Sequence, residues 1–442
     1  MAKWITVQGT RSGVGKSVVT AKLVEILSEE HSVAPFKPLN FSRNSFPVEN
    51  SEIGYSTYHQ CREAGLEPRK TFAPVLVKPM ENKTELITKD KVKVVSYGDL
   101  DRVIGENYSS IEDCIERLDR EFDYVVWEGF GSMINSNMEN NPNIDLIEKT
   151  GVEIILVDDI SKGGVEASIK GIHSLLSKEN SDRITLNIVN KASKKSKGFE
   201  NTLQYIEEHT DTETVSLPYI RDLNFPEEDG IPDFNGNGEI AVISYPHVSN
   251  TSDLEFLPDS KTRMVENPNQ LNKAELVILP GSKNTLKDYR WMKRNGITEK
   301  IKSISSETTV FGVCGGFQMM GEKIEGNQVE QGDVKGLDLI EMETIFSDDK
   351  TLEKIDYEFQ NNKYGGYRIH YGETDISNEN FFKVNDSMEG FFKDGIGGTY
   401  IHDSLRNEEL LNWLLEKAGI DSETSDKDAS EIREKLRKVV DF

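Results

Sequence analysis

Two stretches of this chain carry residue types and spacings that chemistry needs. Gly9 to Ser17 reads GTRSGVGKS. Gly13 and Gly15 would let backbone N–H groups turn inward around phosphate oxygens, Lys16 would reach the outer phosphates, and the Ser17 hydroxyl can hold Mg²⁺. The spacing departs from G-x-x-x-x-G-K-[ST]: Thr10 stands where the first glycine is usual, and Gly9 lies one residue further back. The second stretch is Val313 to Gly321, VCGGFQMMG. A cysteine between an apolar run and small residues fits a nucleophile elbow, in which a sharp strand-to-helix turn exposes the sulfur. There the helix N-terminus favours a thiolate and backbone N–H groups stabilise an oxyanion. One stretch points to nucleotide phosphates, the other to a thiol nucleophile.

Each needs helpers from elsewhere. A thiolate at Cys314 requires a base, and two histidines qualify: His402 in Gly398-Thr399-Tyr400-Ile401-His402, and His370 in Gly365-Gly366-Tyr367-Arg368-Ile369-His370. Local sequence does not choose between them. Gly281 and Ser282 could supply a second oxyanion N–H. For the phosphate site, Tyr124 to Glu128 is an apolar run that delivers a carboxylate at its end, followed by Gly129, Phe130 and Gly131. That is the place for a carboxylate that binds Mg²⁺ opposite Ser17, although a loop acid capping the next element would look the same. Lys37, in FKPLN, ends another short apolar run and can place a second positive charge over the phosphates; a surface lysine beside Pro38 is the other reading. Asn190 closes the run Ile184 to Val189 in the same way and is assigned to the nucleotide site with Gly13, Gly15, Lys16, Ser17 and Lys37.

The elements that must position these groups follow from hydrophobic periodicity. Trp4 to Val7, Val33 to Phe36, Tyr124 to Glu128, Ile154 to Val157 and Ile184 to Val189 read as buried strands with polar ends, and Val19, Leu23, Ile26 and Leu27 as one face of a helix. A parallel α/β sheet of at least five strands is expected, ligands gathering at the strand C-termini. Glu52 to Gly54 is expected to open a helix through Ala64, and the lysines from Lys191 to Lys197 to lie on a solvated helix face. From Phe225 to Gly238 the apolar pattern stops and Pro, Gly, Asp and Asn concentrate, which marks a linker. Strands resume at Ile240 to Tyr245, Ala274 to Leu279 and Thr308 to Val313, and Ala429 to Val440 reads as a surface helix. The fold class is therefore α/β in two three-layer, doubly wound domains, 1–225 and 239–442, joined by a linker at 226–238.

The 442 residues suffice for separate cores, and a formal charge of -25 opposes contact with nucleic acid or an anionic membrane. Three cysteines make no closed disulfide framework and lack metal-ligand spacing, so a reducing cytoplasm is the expected compartment. No charged-then-apolar leader and no bilayer-length apolar run are apparent, so a soluble protein is expected.

Taken in order, the segments GTRSGVGKS, VAPFKPLNFSRNS, EIG with Gln60, Ala64 and Gly65, PVLVKP, EGFGS, LVDDISKGGV, PHVSNTSD, LPGSKNT, GVCGGFQMMG, GGYRIHYG and GTYIH resemble the glutamine-dependent amidotransferases of the cobyric acid synthase family. These are a dethiobiotin-synthetase-like P-loop domain, similar to P-loop NTPases, fused to a class I glutamine amidotransferase domain of flavodoxin-like fold. The resemblance spans nearly the whole chain. It implies Cys314 as nucleophile and His402 as its base, ATP as substrate, Mg²⁺ held by Ser17, Glu128 and Glu52, and glutamine as ammonia donor. It also implies amidation of the b, d, e and g carboxylates of a corrinoid, adenosylcobyrinic acid a,c-diamide. The sequence departs from the family at Ser404, where many class I amidotransferases carry a glutamate, so a Cys-His pair is expected; at Phe130 and Met133 to Asn135; at Asn50 and Ser51, which replace a glycine pair; and at Arg11, where partition-type ATPases carry a second lysine. Competing expectations are another tetrapyrrole-amidating ligase of the a,c-diamide type, disfavoured by FKPLNFSRNS, and a non-catalytic partition-type nucleotide switch, disfavoured by Cys314 and His402.

Overall fold

The computed structural model describes residues 1–80, 83–89, 91–135, 142–192, 199–219, 234, 236, 238–328, 330–376, 380–421 and 430–439. The chain forms two compact units. The first comprises Met1–Ser42, Ser51–Phe225 and Lys427–Phe442, the second Arg43–Asn50 and Pro226–Asp426. These boundaries differ from a 1–225 and 239–442 division in two places: eight residues of the N-terminal half belong to the second unit, and the C-terminal helix belongs to the first. The expected linker lies almost wholly outside the described residues, as do all but the first two residues of the Lys191–Lys197 run.

In the first unit, six parallel strands form one sheet: β1 (Lys3–Gly9), β2 (Val33–Phe36), β3 (Tyr124–Glu128), β4 (Glu153–Asp159), β5 (Ile184–Ala192) and β6 (Thr214–Pro218), in the order β6-β5-β4-β1-β3-β2. Alternate side chains enter two different cores. Ile5, Val7, Val126, Ile155 and Val157 pack with Val19, Leu23 and Val24 of α1 (Lys16–Leu27), while Val125, Trp127, Ile154 and Leu156 pack on the other face with Ile169 of α3 (Val165–Leu175). A strand that buries both faces must be apolar throughout, which is why these runs are continuous rather than alternating. The C-terminal helix, α7 (Ser430–Val439), adds Ile432 and Leu436 to the α1 side. Between Leu39 and Ser96 the chain also forms a small sheet of Leu39–Phe41, Val75–Pro79, Lys83–Ile87 and Val92–Ser96. Ser51–Gly54 is extended, and the helix expected from Glu52 begins three residues later as α2 (Tyr55–Glu63). Lys191 lies in β5, not on a helix face.

The second unit holds a six-stranded sheet made of β7 (Ile240–Ile243), β8 (Thr262–Val265), β9 (Leu276–Leu279), β10 (Thr309–Val313), β13 (Phe391–Lys393) and β14 (Ile396–Thr399), ordered β8-β7-β9-β10-β14-β13. All its pairings are parallel except β13 with β14. Helices α4 (Thr285–Arg294), α5 (Gly315–Gln318) and α6 (Glu408–Lys417) contribute Leu286, Phe317 and Leu414 to its core. A long antiparallel hairpin, β11 (Met342–Phe359) with β12 (Asn362–Ile376), belongs to a second sheet that the parallel expectation did not include. Its strands alternate buried and exposed residues, the pattern of a sheet with one solvated face.

Candidate active sites

Each unit gathers its candidate residues at strand C-termini. In the first, β1 runs into the glycine loop and its neighbour β3 brings Glu128 level with Val7. Gly15 caps α1 with φ 100°, a left-handed conformation that only glycine takes without strain, and a β-carbon there would lie 2.1 Å from Asn190 Nδ2. That amide donates to the Val14 carbonyl at 2.8 Å, so Asn190 buttresses the loop from the end of β5. Two ion pairs frame the same loop. Arg11 meets Asp158 at 3.3 Å and donates to the Asp159 carbonyl, while Lys191 meets the Asp159 carboxylate at 3.0 Å and donates to the Gly13 carbonyl at 3.2 Å. Arg11 is thus engaged within its own chain.

Glu128 is the hub. It is fully buried; Ser17 Oγ donates to its Oε1 at 2.6 Å, Lys37 Nζ to the same oxygen at 2.8 Å, and Gln60 Nε2 of α2 to Oε2 at 2.6 Å. Burial pushes the Glu128 carboxyl up, but Lys37, Ser17 and Lys16 more than offset this and hold it below the ordinary carboxylate range. Lys16 donates to the Gly131 carbonyl at 2.8 Å, and burial pulls its ammonium down to about 8 against the attraction of Glu128. Sequence reasoning placed Ser17, Lys37 and Glu128 together, and the structure brings them into one hydrogen-bonded cluster. The Glu52 carboxylate forms a buried ion pair with Lys78, and Lys70 donates to its backbone carbonyl. Ser17 and Glu128 present adjacent hard oxygen donors, the set that Mg²⁺ takes when substrate phosphates complete its shell. Among the described residues no group of three His, Cys, Asp or Glu could hold a metal without such help.

In the second unit, Cys314 sits between β10 and α5 with φ 50° and ψ -110°, a conformation sparsely populated by residues with a β-carbon. Its Sγ lies 3.6 Å from the Ile369 carbonyl. A β-carbon on Gly315 would come 2.9 Å from Ser282 N, so the Gly281–Ser282 turn abuts the elbow. Ser282 Oγ donates to Asp288 Oδ2 at 2.6 Å, which fixes that turn, and Asp288 Oδ1 takes His247 Nδ1 at 2.7 Å.

The two histidines differ sharply. His402 is fully buried, and its Nδ1 lies 3.6 Å from Asp253 Oδ2 while its Nε2 lies 3.5 Å from Asn250 Nδ2. Burial works against its charged form, but the neighbouring Cys314 and Asp253 overcome this and push it up to about 10. His370 Nδ1 donates to the Gly372 carbonyl at 2.8 Å, and burial drops its imidazole to about 4, so it stays neutral. Asp253 was missed by sequence reasoning beyond its place in PHVSNTSD. It accepts from Leu405 N at 2.8 Å, Asp403 N at 3.1 Å and Ser404 Oγ at 3.3 Å, so the residue standing where a glutamate is usual holds a carboxylate supplied from 151 positions earlier.

Residues 3–227 match a family model described as an AAA domain, and residues 239–410 one described as a CobB/CobQ-like glutamine amidotransferase domain. A cobyric acid synthase of Clostridium botulinum (strain ATCC 19397 / Type A) is 34% identical, the match covering 96% of this chain and 93% of that one. Another from Clostridium perfringens (strain SM101 / Type A) is 33% identical over 95% of this chain and 92% of that one. A solved glutamine amidotransferase aligns with 41% of this chain and 100% of its own at 17% identity, with a TM-score of 0.36.

Proposed function

Because this chain belongs to the cobyric acid synthase family, we propose that it uses ATP and glutamine to amidate the b, d, e and g carboxylates of adenosylcobyrinic acid a,c-diamide. The observation that carries this reading is the pairing, on one chain, of the buried Ser17–Lys37–Glu128 cluster under a glycine loop with the strained Cys314 and the buried His402–Asp253 pair. A carboxylate is a poor electrophile. Phosphorylation by ATP converts it to an acyl phosphate with release of ADP, and ammonia then displaces phosphate to leave the amide.

In the first unit, Lys16 and Lys37 neutralise negative charge on the transferring phosphoryl group, and the Gly13–Lys16 backbone cradles it. Asn190 keeps the loop in place. Ser17 and Glu128 are the residues that would hold Mg²⁺, which when bound shields the phosphate oxygens. Glu52, paired with Lys78, acts in this reading as a scaffold for the Ser51–Gly54 segment.

In the second unit, the Cys314 thiolate attacks the carboxamide of glutamine, and the tetrahedral oxyanion is met by N–H groups of the elbow and the Gly281–Ser282 turn. His402 gives its proton to the departing ammonia, leaving a thioester on Cys314. It next takes a proton from water, whose attack on the thioester frees glutamate. Asp253 stabilises the imidazolium that exists before the first step and forms again in the second; between them His402 is neutral. Mass spectrometry tests the whole: with ATP, Mg²⁺, glutamine and the corrinoid, four replacements of OH by NH₂ lower the product mass by about four daltons. Cys314→Ala should form the same product from ammonium but not from glutamine. Glutamine hydrolysis with an unchanged corrinoid would sink the choice of acceptor while leaving the chemistry in place.

A further inference from the structure

The second unit contains eight residues of the N-terminal half, Arg43–Asn50, and they bear on His402 from two sides. On one side Ser45 N donates to Asn250 Oδ1 at 3.2 Å, while Asn44 Nδ2 donates to Thr251 Oγ1 at 3.0 Å and Thr251 N donates back to Asn44 Oδ1 at 3.3 Å. An amide has one oxygen and one NH₂. With Oδ1 of Asn250 held by Ser45 N–H, its NH₂ is the end that faces His402 Nε2, and it can donate there once His402 has given up its Nε2 proton and is neutral. On the other side Phe46 packs edge-on against Tyr367, with ring centroids 5.1 Å apart, and Tyr367 stacks on the His402 ring, also at 5.1 Å. Tyr367 and His402 further exchange backbone hydrogen bonds. Asn44, Phe46, Thr251 and Tyr367 are all buried.

We propose that Asn44 and Phe46 are positioning residues of the glutaminase site, which set the His402 ring through Asn250 and Tyr367. Asn44 touches neither glutamine nor Cys314 in this scheme; it acts on the site through its neighbours. The proposal rests on the reading of His402 as the glutaminase base.

Full-length Asn44→Ala and Phe46→Leu test it, with glutamate release and ammonium-driven amidation measured on the same samples across pH. The expected result is a fall in kcat for glutamine hydrolysis of about 10- to 100-fold, as a mispositioned catalytic group produces. KM for glutamine should move little, the pH profile should shift, and ammonium-driven amidation should remain. Asn44→Asp, which keeps the acceptor for Thr251 N–H, should recover part of the rate. Equal losses in both activities, or an unchanged glutaminase pH profile in soluble folded variants, would overturn the proposal. Glutamate release needs no corrinoid, so a wrong acceptor would show as absent amidation in the unsubstituted protein and leave the basal glutaminase comparison decisive.

Discussion

Replacing Asp253 by Asn removes one charge from beside His402 and keeps the side-chain shape. Asp253 Oδ2 lies 3.6 Å from His402 Nδ1, and both side chains are buried, at 3% and 0% exposure. At an effective dielectric near 20, two unit charges at that separation attract by about 4–5 kcal/mol. Neighbouring charges at such distances move a pKa by about one to three units, or about 1.4–4 kcal/mol, which takes the discount for relaxation into account. His402, pushed up to about 10 in the intact protein, should therefore lose its proton at a pH about one to three units lower. At about 7 to 9 His402 stays at least half protonated near neutral pH, so glutamine hydrolysis should fall by no more than about twofold there but by about 2- to 100-fold near pH 9, as the alkaline limb of its profile moves down with His402. The Asn side chain also turns an NH₂ toward Asp403 N–H, which donates to Oδ2 in the native protein, so a stability loss of about 1–3 kcal/mol is expected and is measured by denaturant unfolding. Ser404→Ala is the control. It deletes one donor to Asp253 and leaves the charge, so turnover should change by less than about threefold. Glutamate release assayed across pH decides the matter. An alkaline limb that stays in place in Asp253→Asn, or an equal loss of ammonium-driven amidation, would refute the role given to this carboxylate.

Three further outcomes follow from the geometry. Glu128→Gln leaves Lys37 buried without its counter-charge, so ATP-dependent amidation should be abolished and stability should drop by about 3–5 kcal/mol, while glutamine hydrolysis persists if the second unit remains folded; unfolding curves and the two activity assays separate these effects. Cys314→Gly and Cys314→Ala both remove the nucleophile, but only glycine is at ease at φ 50° and ψ -110°. The Gly variant should be the more stable by up to about 2 kcal/mol, and a more stable Ala variant would mean that the elbow carries no strain. His370 is neutral in the fold down to about 4 and titrates near 6.5 when unfolded. The unfolded chain binds the extra proton between those values, so the stabilising contribution is complete above about pH 6.5 and falls by at most about 3 kcal/mol as pH drops toward 4. His370→Asn should flatten that stretch of the stability profile, and an unchanged slope would show that other groups account for it.

Local pattern was enough for the elements that present chemistry. A continuous apolar strand followed by glycines, a lysine and a serine leaves few ways to fold, because the strand must be buried on both faces and the glycines must turn. The same holds for Val313-Cys314-Gly315 and for Tyr124 to Glu128, where the reactive group stands one residue past a strand end or on its last residue. Pattern failed where a partner comes from far away in sequence. Glu52 lies buried against Lys78, a partner that tertiary packing supplies and no local pattern announces. Asp253 and His402 are brought together from 149 positions apart, and no periodicity in either segment encodes the other. The placement of Arg43–Asn50 and of α7 likewise follows from which unit offers partners for their buried side chains, Tyr367 for Phe46 and the α1 face for Ile432 and Leu436. The sequence by itself determined the phosphate loop, its carboxylate and the cysteine elbow, because each is a short-range consequence of strand burial and turn geometry. Only the tertiary structure decided what charges His402, what holds Glu52 and which unit owns each stray segment, because burial and charge pairing are settled by the whole fold at once.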